Sequence, residues 1–295
     1  MASKREHELD TKLEIGIVGL GLIGGSLGLD FRSLGHRVLG VSQRQTTCDR
    51  AIERGVVETA SREGRLLQSC DVVFICTPLS QIMPTAEKIA PFLPKKAILT
   101  DVGSVKSPIV RAMTSCTNVS NPFVGGHPMA GTAETGIEAA LSGLFRGNPY
   151  VLTPTDQTPT EAIALLSRLV KSLGATVYEC DPDVHDRAVA LISHLPVMVS
   201  ASLIQVCAQE DDPQVRQLAQ QLASSGFRDT SRVGGGNPEL GRLMAEFNTD
   251  ALLKALRGYR SHLDQWIEQI ESNQWDSLQA QLTQTQADRP AYLKE

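Results

Sequence analysis

Apolar runs of strand length alternate with helix-length segments through the first half of the chain. Residues 13–18, 37–41, 72–76 and 97–101 are mostly aliphatic and strand-like, and each is followed by a stretch long enough for a helix. That alternation predicts a parallel sheet with helices on both faces. Further strand-like runs lie at 123–125, 150–153 and 176–179. Between the last two, residues 158–173 repeat apolar side chains at helical spacing. Ala162, Leu165, Leu166 and Leu169 share one face, and Gly174 is placed to end the helix.

Beyond about residue 181 the strand pattern stops, and Ala, Leu, Gln and Ser recur at helical spacing. Residues 183–209 read as one long helix, apolar nearly all round, kinked by Pro196 because its ring lacks a donor N–H and crowds the preceding turn. Burying such a helix on every side within a small helical half calls for a second chain, so a homodimer joined through this half is expected. Segments 237–247, 251–270 and 274–286 supply further helices. No internal repeat is present.

The 295 residues suggest about two domains. The pattern places an α/β Rossmann-type domain at 13–180 and an all-α domain at 181–287, with polar tails at 1–12 and 288–295. A formal charge of −5 and 4% aromatic residues argue against a nucleic-acid partner, which needs basic surface and stacking platforms. No unbroken apolar stretch approaches the roughly 20 residues of a membrane span. The charged start, with Glu6, Glu8 and Asp10, resembles neither a secretion signal nor a transit peptide. The six cysteines are scattered, without Cys-x-x-Cys pairs or zinc spacing, so a reduced, cytoplasmic, metal-free protein is expected.

Chemistry enters at Gly19-Leu20-Gly21-Leu22-Ile23-Gly24, a Gly-x-Gly-x-x-Gly run between a strand and a helix. Gly19 permits the tight turn, Gly21 lets backbone approach a pyrophosphate, and Gly24 lets the helix pack on the strand. The competing reading is a glycine-rich turn without ligand, which the strand–turn–helix context disfavours. About 20 residues on, where a carboxylate would bind the ribose of NAD, the chain reads Ser42-Gln43-Arg44-Gln45-Thr46-Thr47. Hydroxyl and guanidinium donors there suit a 2′-phosphate, so NADP is expected over NAD, with Ser42, Gln43, Arg44 and Thr47 at the cofactor. Arg44 as a plain surface residue is the alternative.

Ligands of doubly wound sheets lie outside the carboxyl ends of the strands. Cys76-Thr77-Pro78-Leu79 at one such end is expected at the cofactor. Ser104 and Lys106, at another, are candidates for the nicotinamide side, although Ser104 as a helix cap fits the spacing equally well. His127, in what reads as a Gly/Pro-fixed loop after a third strand, could take a proton from an alcohol as hydride leaves the same carbon. His194 follows Ser193 on the long helix, and by chemistry alone a structural role suits it better. Arg228 and Arg232 flank Asp229, so one can pair with it while the other binds a substrate carboxylate. Spacing does not decide which.

Taken in order, Gly19 to Gly24, Asp101-Val-Gly-Ser-Val-Lys106, Gly126-His-Pro-Met-Ala-Gly131, Ser193-His-Leu-Pro196 and Phe227-Arg-Asp-Thr-Ser-Arg232 resemble the prephenate/arogenate dehydrogenase family of tyrosine biosynthesis over residues 13–285. The likeness is strongest to cyanobacterial arogenate dehydrogenases. The resemblance implies oxidative decarboxylation of L-arogenate with hydride transfer to NADP, in a homodimer joined through the helical domain. It implies that His127 accepts the proton of the ring hydroxyl, with Ser104 beside it. Arg232 would hold a substrate carboxylate, and His194, Met129, Gly131 and Lys106 would complete the substrate side.

Two departures from prephenate-preferring members tilt the expectation towards arogenate. Val197 stands where many carry a second His, and Ala133 follows Gly131-Thr132 where many carry Glu, with Glu134 one step late. Nothing after Gln286 is long enough for a regulatory domain, so any tyrosine inhibition should be competition at the active site. The competing functions are a prephenate dehydrogenase, a two-domain NADP reductase acting on a small hydroxy acid or imine, and a catalytically silent NADP-binding regulator.

Overall fold

The computed structural model describes residues 12–132 and 134–293. Residues 1–11, most of the expected N-terminal tail, lie outside the described residues, as do Ala133 and residues 294–295. Residues 12–248 pack as one compact unit and residues 249–293 as a second.

An eight-stranded sheet organises the first unit, in the order β3-β2-β1-β4-β5-β6-β7-β8. Its strands are β1 (Glu14–Val18), β2 (Arg37–Val41), β3 (Thr59–Ser61), β4 (Val72–Ile75), β5 (Ile98–Asp101), β6 (Phe123–Pro128), β7 (Pro149–Thr153) and β8 (Thr176–Glu179). Pairing is parallel except between β6 and β7, where His127 faces Val151 across an antiparallel ladder. The sheet is therefore mixed rather than wholly parallel. β1 and β4 form its buried centre, with Ile15, Ile17, Val72 and Phe74 fully enclosed, each contributing roughly 1.5–3 kcal/mol of hydrophobic stabilisation. Helices α1 (Leu22–Ser33), α2 (Gln45–Glu53), α3 (Ile82–Ile89), α4 (Ser107–Ser115) and α5 (Thr160–Ser172) connect the strands. Gly174, with φ of 78°, closes α5 in the left-handed region as its position implied. The strand order reverses at β1 and β4, and it is there that a crevice opens at the carboxyl ends.

One continuous helical run follows, Pro182–Ala208, close to the expected bounds. α6 (Pro182–Val189) gives way to a π turn (Ala190–His194), then α7 (Leu195–Ala208). Pro196 stands in the first turn of α7 directly after the π turn, so the residue that lacks a donor N–H coincides with the change in helical register. Contrary to the expectation from unbroken apolar stretches, Pro182–Ala208 is long and apolar enough, by length and composition, to cross a membrane. Its interruptions are few, but they are engaged: His185, Asp186 and Ser200 are buried in hydrogen bonds. Leu191, Ile192 and Val206 are 58%, 56% and 72% exposed in the single chain, so the run is not buried on all sides by its own chain.

α8 (Pro213–Leu222), α9 (Ser225–Ser231) and α10 (Pro238–Phe247) complete this unit. The second comprises α11 (Thr249–Glu271) and α12 (Trp275–Asp288), joined by the Trp266 indole N–H donating to Gln281 (3.0 Å). In the expected C-terminal tail, α12 runs to Asp288 and an exposed 3-10 turn covers Arg289–Tyr292.

Candidate active site

A cleft of about 1250 Å³ lies along the strand ends of the first unit. The glycine loop forms its floor. Gly19 has φ of 100°, and a Cβ there would stand 2.5 Å from the Cys76 carbonyl, so only glycine allows β1 and β4 to close at this point. Gly24 faces away from the cleft and packs α1 against the Gly19 carbonyl and Cys76, whereas Gly21 looks into open space. Leu22, Ile23, Ser42, Gln43, Arg44, Thr47, Cys76, Thr77, Pro78 and Leu79 all line the cleft.

Farther along it stand Ser104, His127, Met129, Gly131, Ser193 and Arg232. Among the described residues Ser104 caps no helix: α4 is preceded by Lys106 at the cap position. The first amides of α4 are taken by a residue from the helical half: Asp186 accepts from Lys106 N–H (2.7 Å) and Ser107 N–H (2.8 Å). Asp181 caps the start of α6, accepting from Asp183 and Val184 N–H, and so aims the first turn of that helix at α4.

His127 is not in a loop. It is the penultimate residue of β6, because Gly125 and Gly126, which looked like loop formers, are strand residues pressed against β5 and β7. A Cβ on Gly126 would stand 2.6 Å from the Asp101 carbonyl. The imidazole is buried, with Nδ1 2.9 Å from His185 Nε2, and His185 Nδ1 is 2.8 Å from Asp186 Oδ1. This chain fixes the tautomers. A carboxylate only accepts, so His185 holds a proton on Nδ1; with His185 Nε2 as the acceptor of the second contact, His127 donates from Nδ1 and its own Nε2 is left an acceptor. Burial, first, and then the neighbouring His185, Lys106 and His194 hold His127 well below its ordinary value of 6.5. The cleft thus contains a neutral imidazole whose protonated form would be stabilised through His185 by a buried carboxylate. His185 and Asp186 escaped the sequence analysis because a His-Asp pair in a first helical turn looks like a solvated end.

Two expected substrate contacts lie elsewhere. Lys106 does not line the cleft; it is fully buried, its ammonium bonded to the Asp101 carboxylate and the Gly126 carbonyl (2.7 Å). Asp101 in turn accepts from Gly103 N–H (2.8 Å) and Gly126 N–H (3.2 Å), tying the Ser104 loop to the His127 strand. His194 also points away from the cleft. The π turn exposes Ser193 there and buries His194, whose Nδ1 lies 3.2 Å from the Asn248 side-chain nitrogen. Burial lowers its pKa to about 4.

The two arginines have different surroundings. Arg228 pairs with Asp229 at 3.0 Å in the open, while Arg232, at the head of a 3-10 turn (Arg232–Gly235), faces the cleft without an ion pair among the described residues. Glu134 lines the cleft despite its late position, whereas Val197 does not. Ala133 lies outside the described residues. Arg62, Thr85, Lys88, Leu240 and Met244 also line the cleft and carry no motif that would have found them.

Known proteins are similar to this chain in sequence and fold. The family model for the prephenate dehydrogenase nucleotide-binding domain matches residues 27–179, and that for its dimerization domain matches residues 181–284. A prephenate dehydrogenase of Bacillus subtilis is 32% identical over 259 residues, covering 86% of this chain and 67% of that protein. A cyclohexadienyl dehydrogenase of Zymomonas mobilis is 29% identical, covering 94% and 95% of the two chains. Among solved structures, Synechocystis arogenate dehydrogenase superposes with a TM-score of 0.86 at 53% identity, over 95% of this chain and 100% of that one. The Aquifex aeolicus prephenate dehydrogenase, in complex with hydroxyphenyl propionate and NAD+, gives a TM-score of 0.89 at 27% identity over 96% and 99%. A nucleotide-binding α/β domain followed by a helical dimerisation domain, carrying these motifs in this order, makes the chain a member of the prephenate/arogenate dehydrogenase family of oxidoreductases.

Proposed function

We propose that this enzyme oxidises L-arogenate to L-tyrosine with NADP as hydride acceptor. The observation that carries the reading is the neutral, buried His127 lining a cleft together with the glycine loop and Arg232, which forms no ion pair among the described residues. The residues fit a dinucleotide: space beside Gly21 is open where a pyrophosphate would approach, and no carboxylate stands among Ser42, Gln43, Arg44 and Thr47. Gly19 to Ile23 would hold the pyrophosphate, residues 42–47 the 2′-phosphate and Cys76 to Leu79 the adjoining ribose. NADP, when bound, supplies the hydride acceptor.

His127 takes the proton of the ring 4-hydroxyl through Nε2 as the C4 hydride leaves. The ring carboxylate departs as carbon dioxide, its electron pair completes the aromatic ring and leaves the 4-oxygen as a phenolate, and the phenolate takes the proton back from His127. Products are tyrosine, carbon dioxide and reduced cofactor, so the balance needs no further reactant. Proton removal by a positioned base contributes typically 10²–10⁴-fold, and aromatisation supplies the driving force. Ser104 orients the hydroxyl, and Arg232 holds a substrate carboxylate. Met129 and Gly131 shape the substrate side, and Glu134 gives the cleft a carboxylate suited to the ammonium group that distinguishes arogenate from prephenate.

The exposed Leu191, Ile192 and Val206 support a homodimer through the helical domain, with 13–180 and 181–287 as the working domains. Six free thiols suit a reduced cytoplasm. Incubation with arogenate and NADP should yield tyrosine and NADPH in equal amounts; NADPH without tyrosine would refute the reaction.

A further inference from the structure

β3, Thr59–Ser61, runs parallel to β2 with Val41 opposite Ser61, and Ser42 N–H donates to the Ser61 carbonyl (3.2 Å). That register brings Arg62, the next residue, abreast of the 42–44 loop. Its Nε–H donates to the Gln43 carbonyl at 3.0 Å, which anchors one edge of the guanidinium and leaves its two terminal nitrogens available. Arg62 and Arg44 both line the cleft, and neither forms an ion pair among the described residues.

Other arginines on α2 and just after it are committed. Arg50 pairs with Glu53 and Glu138, and Arg54 donates to the Ile137 and Ala140 carbonyls. This rim of the cleft, Ser42, Gln43, Arg44, Thr47, Arg62 and Gly64, therefore concentrates two guanidinium groups and no carboxylate. α2 begins beside it with no side chain of its own as a cap. Two like charges held at one rim are complementary to a dianion, and a guanidinium already fixed along one edge loses little freedom on binding it.

We propose that Arg62 is a specificity-determining residue for the cofactor: anchored by the Gln43 carbonyl, it receives the 2′-phosphate jointly with Arg44. This deepens, and rests on, the NADP reading. It also gives Gln43 a part, since its carbonyl positions Arg62 and its side chain need not touch the phosphate.

The test compares wild type, R62Q and R62K in kcat/KM for NADP and for NAD, and in competitive inhibition by 2′,5′-ADP and by 5′-AMP, probes that differ only in the 2′-phosphate. R62Q should lower the NADP/NAD ratio of kcat/KM about tenfold and weaken 2′,5′-ADP by the same factor relative to 5′-AMP, the loss expected for one charge-assisted contact at an exposed rim. R62K should recover part of it. A wild type selective for NADP whose ratio and 2′,5′-ADP preference survive in R62Q would overturn the role of Arg62 alone. A wild type that prefers NAD and binds 2′,5′-ADP no more tightly than 5′-AMP would overturn the NADP reading, and this proposal with it.

Discussion

Replacing His185 with Ala removes a side chain that does not line the cleft and yet should slow the reaction. Among the described residues, His185 links His127 Nδ1 to the Asp186 carboxylate through contacts of 2.9 and 2.8 Å. When His127 takes the substrate proton, its Nδ1–H becomes a charged donor, and a hydrogen bond to a charged group contributes about 1.5–3 kcal/mol. At about 1.4 kcal/mol per factor of ten, losing it lowers kcat roughly 10- to 150-fold. The KM for cofactor should stay near wild type, because the glycine loop is untouched. Asp186 keeps both amide donors from α4, so the fold should survive; thermal melting checks this. His185→Gln, whose amide can donate towards Asp186 and accept from His127, should recover part of the rate. The wild-type pH profile supplies a second readout. His127 must be neutral to act, and its pKa is lowered below 6.5, so kcat/KM should hold as pH falls past 6.5 and drop only at the lower value. A kcat in H185A within twofold of wild type, H185Q no better than H185A, or an acid limb centred at or above pH 6.5 would refute the reasoning.

Other residues give sharper contrasts in pairs. Arg232→Ala should raise the KM for substrate by about 10- to 100-fold, from the loss of a charge-assisted contact, while Arg228→Ala, which breaks only an exposed pair with Asp229, should change it less than twofold in steady-state assays. Lys106→Met strands the buried Asp101 carboxylate and should cost about 3–5 kcal/mol in urea unfolding; a normal stability with a raised substrate KM would instead restore Lys106 to the cleft. Gly24→Ala drives a methyl into the Gly19 carbonyl and should destabilise the domain, whereas Gly21→Ala meets no non-neighbouring atom of the described residues within 4 Å and should leave the melting temperature alone while weakening cofactor binding in fluorescence titration.

Much of this arrangement was legible because local pattern and tertiary position agree. β2 and β8 have the limits their apolar runs implied, and the glycine loop sits between β1 and α1, where its spacing placed it. β3 was missed because Thr59–Ser61 is three residues of mixed polarity whose order comes from pairing with β2. α8 and α9 are likewise short, and Gln- and Ser-rich sequence hid them. The buried polar system was illegible for a different reason. Lys106, His185 and Asp186 look solvent-exposed in sequence, and what buries them is the docking of α6 against the start of α4, a contact some 80 residues apart in the chain. The π turn similarly exchanges Ser193 for His194 at the cleft, a shift that helical periodicity cannot anticipate.

The central claim is a base-assisted hydride transfer from arogenate to NADP in this cleft. Its most direct measurement is kcat/KM for arogenate and for prephenate, each with NADP and with NAD, on wild type and His127→Ala side by side. The account predicts turnover highest with arogenate and NADP, falling by 10²-fold or more in H127A. Equal turnover in H127A, or a preference for prephenate with NAD, would contradict it.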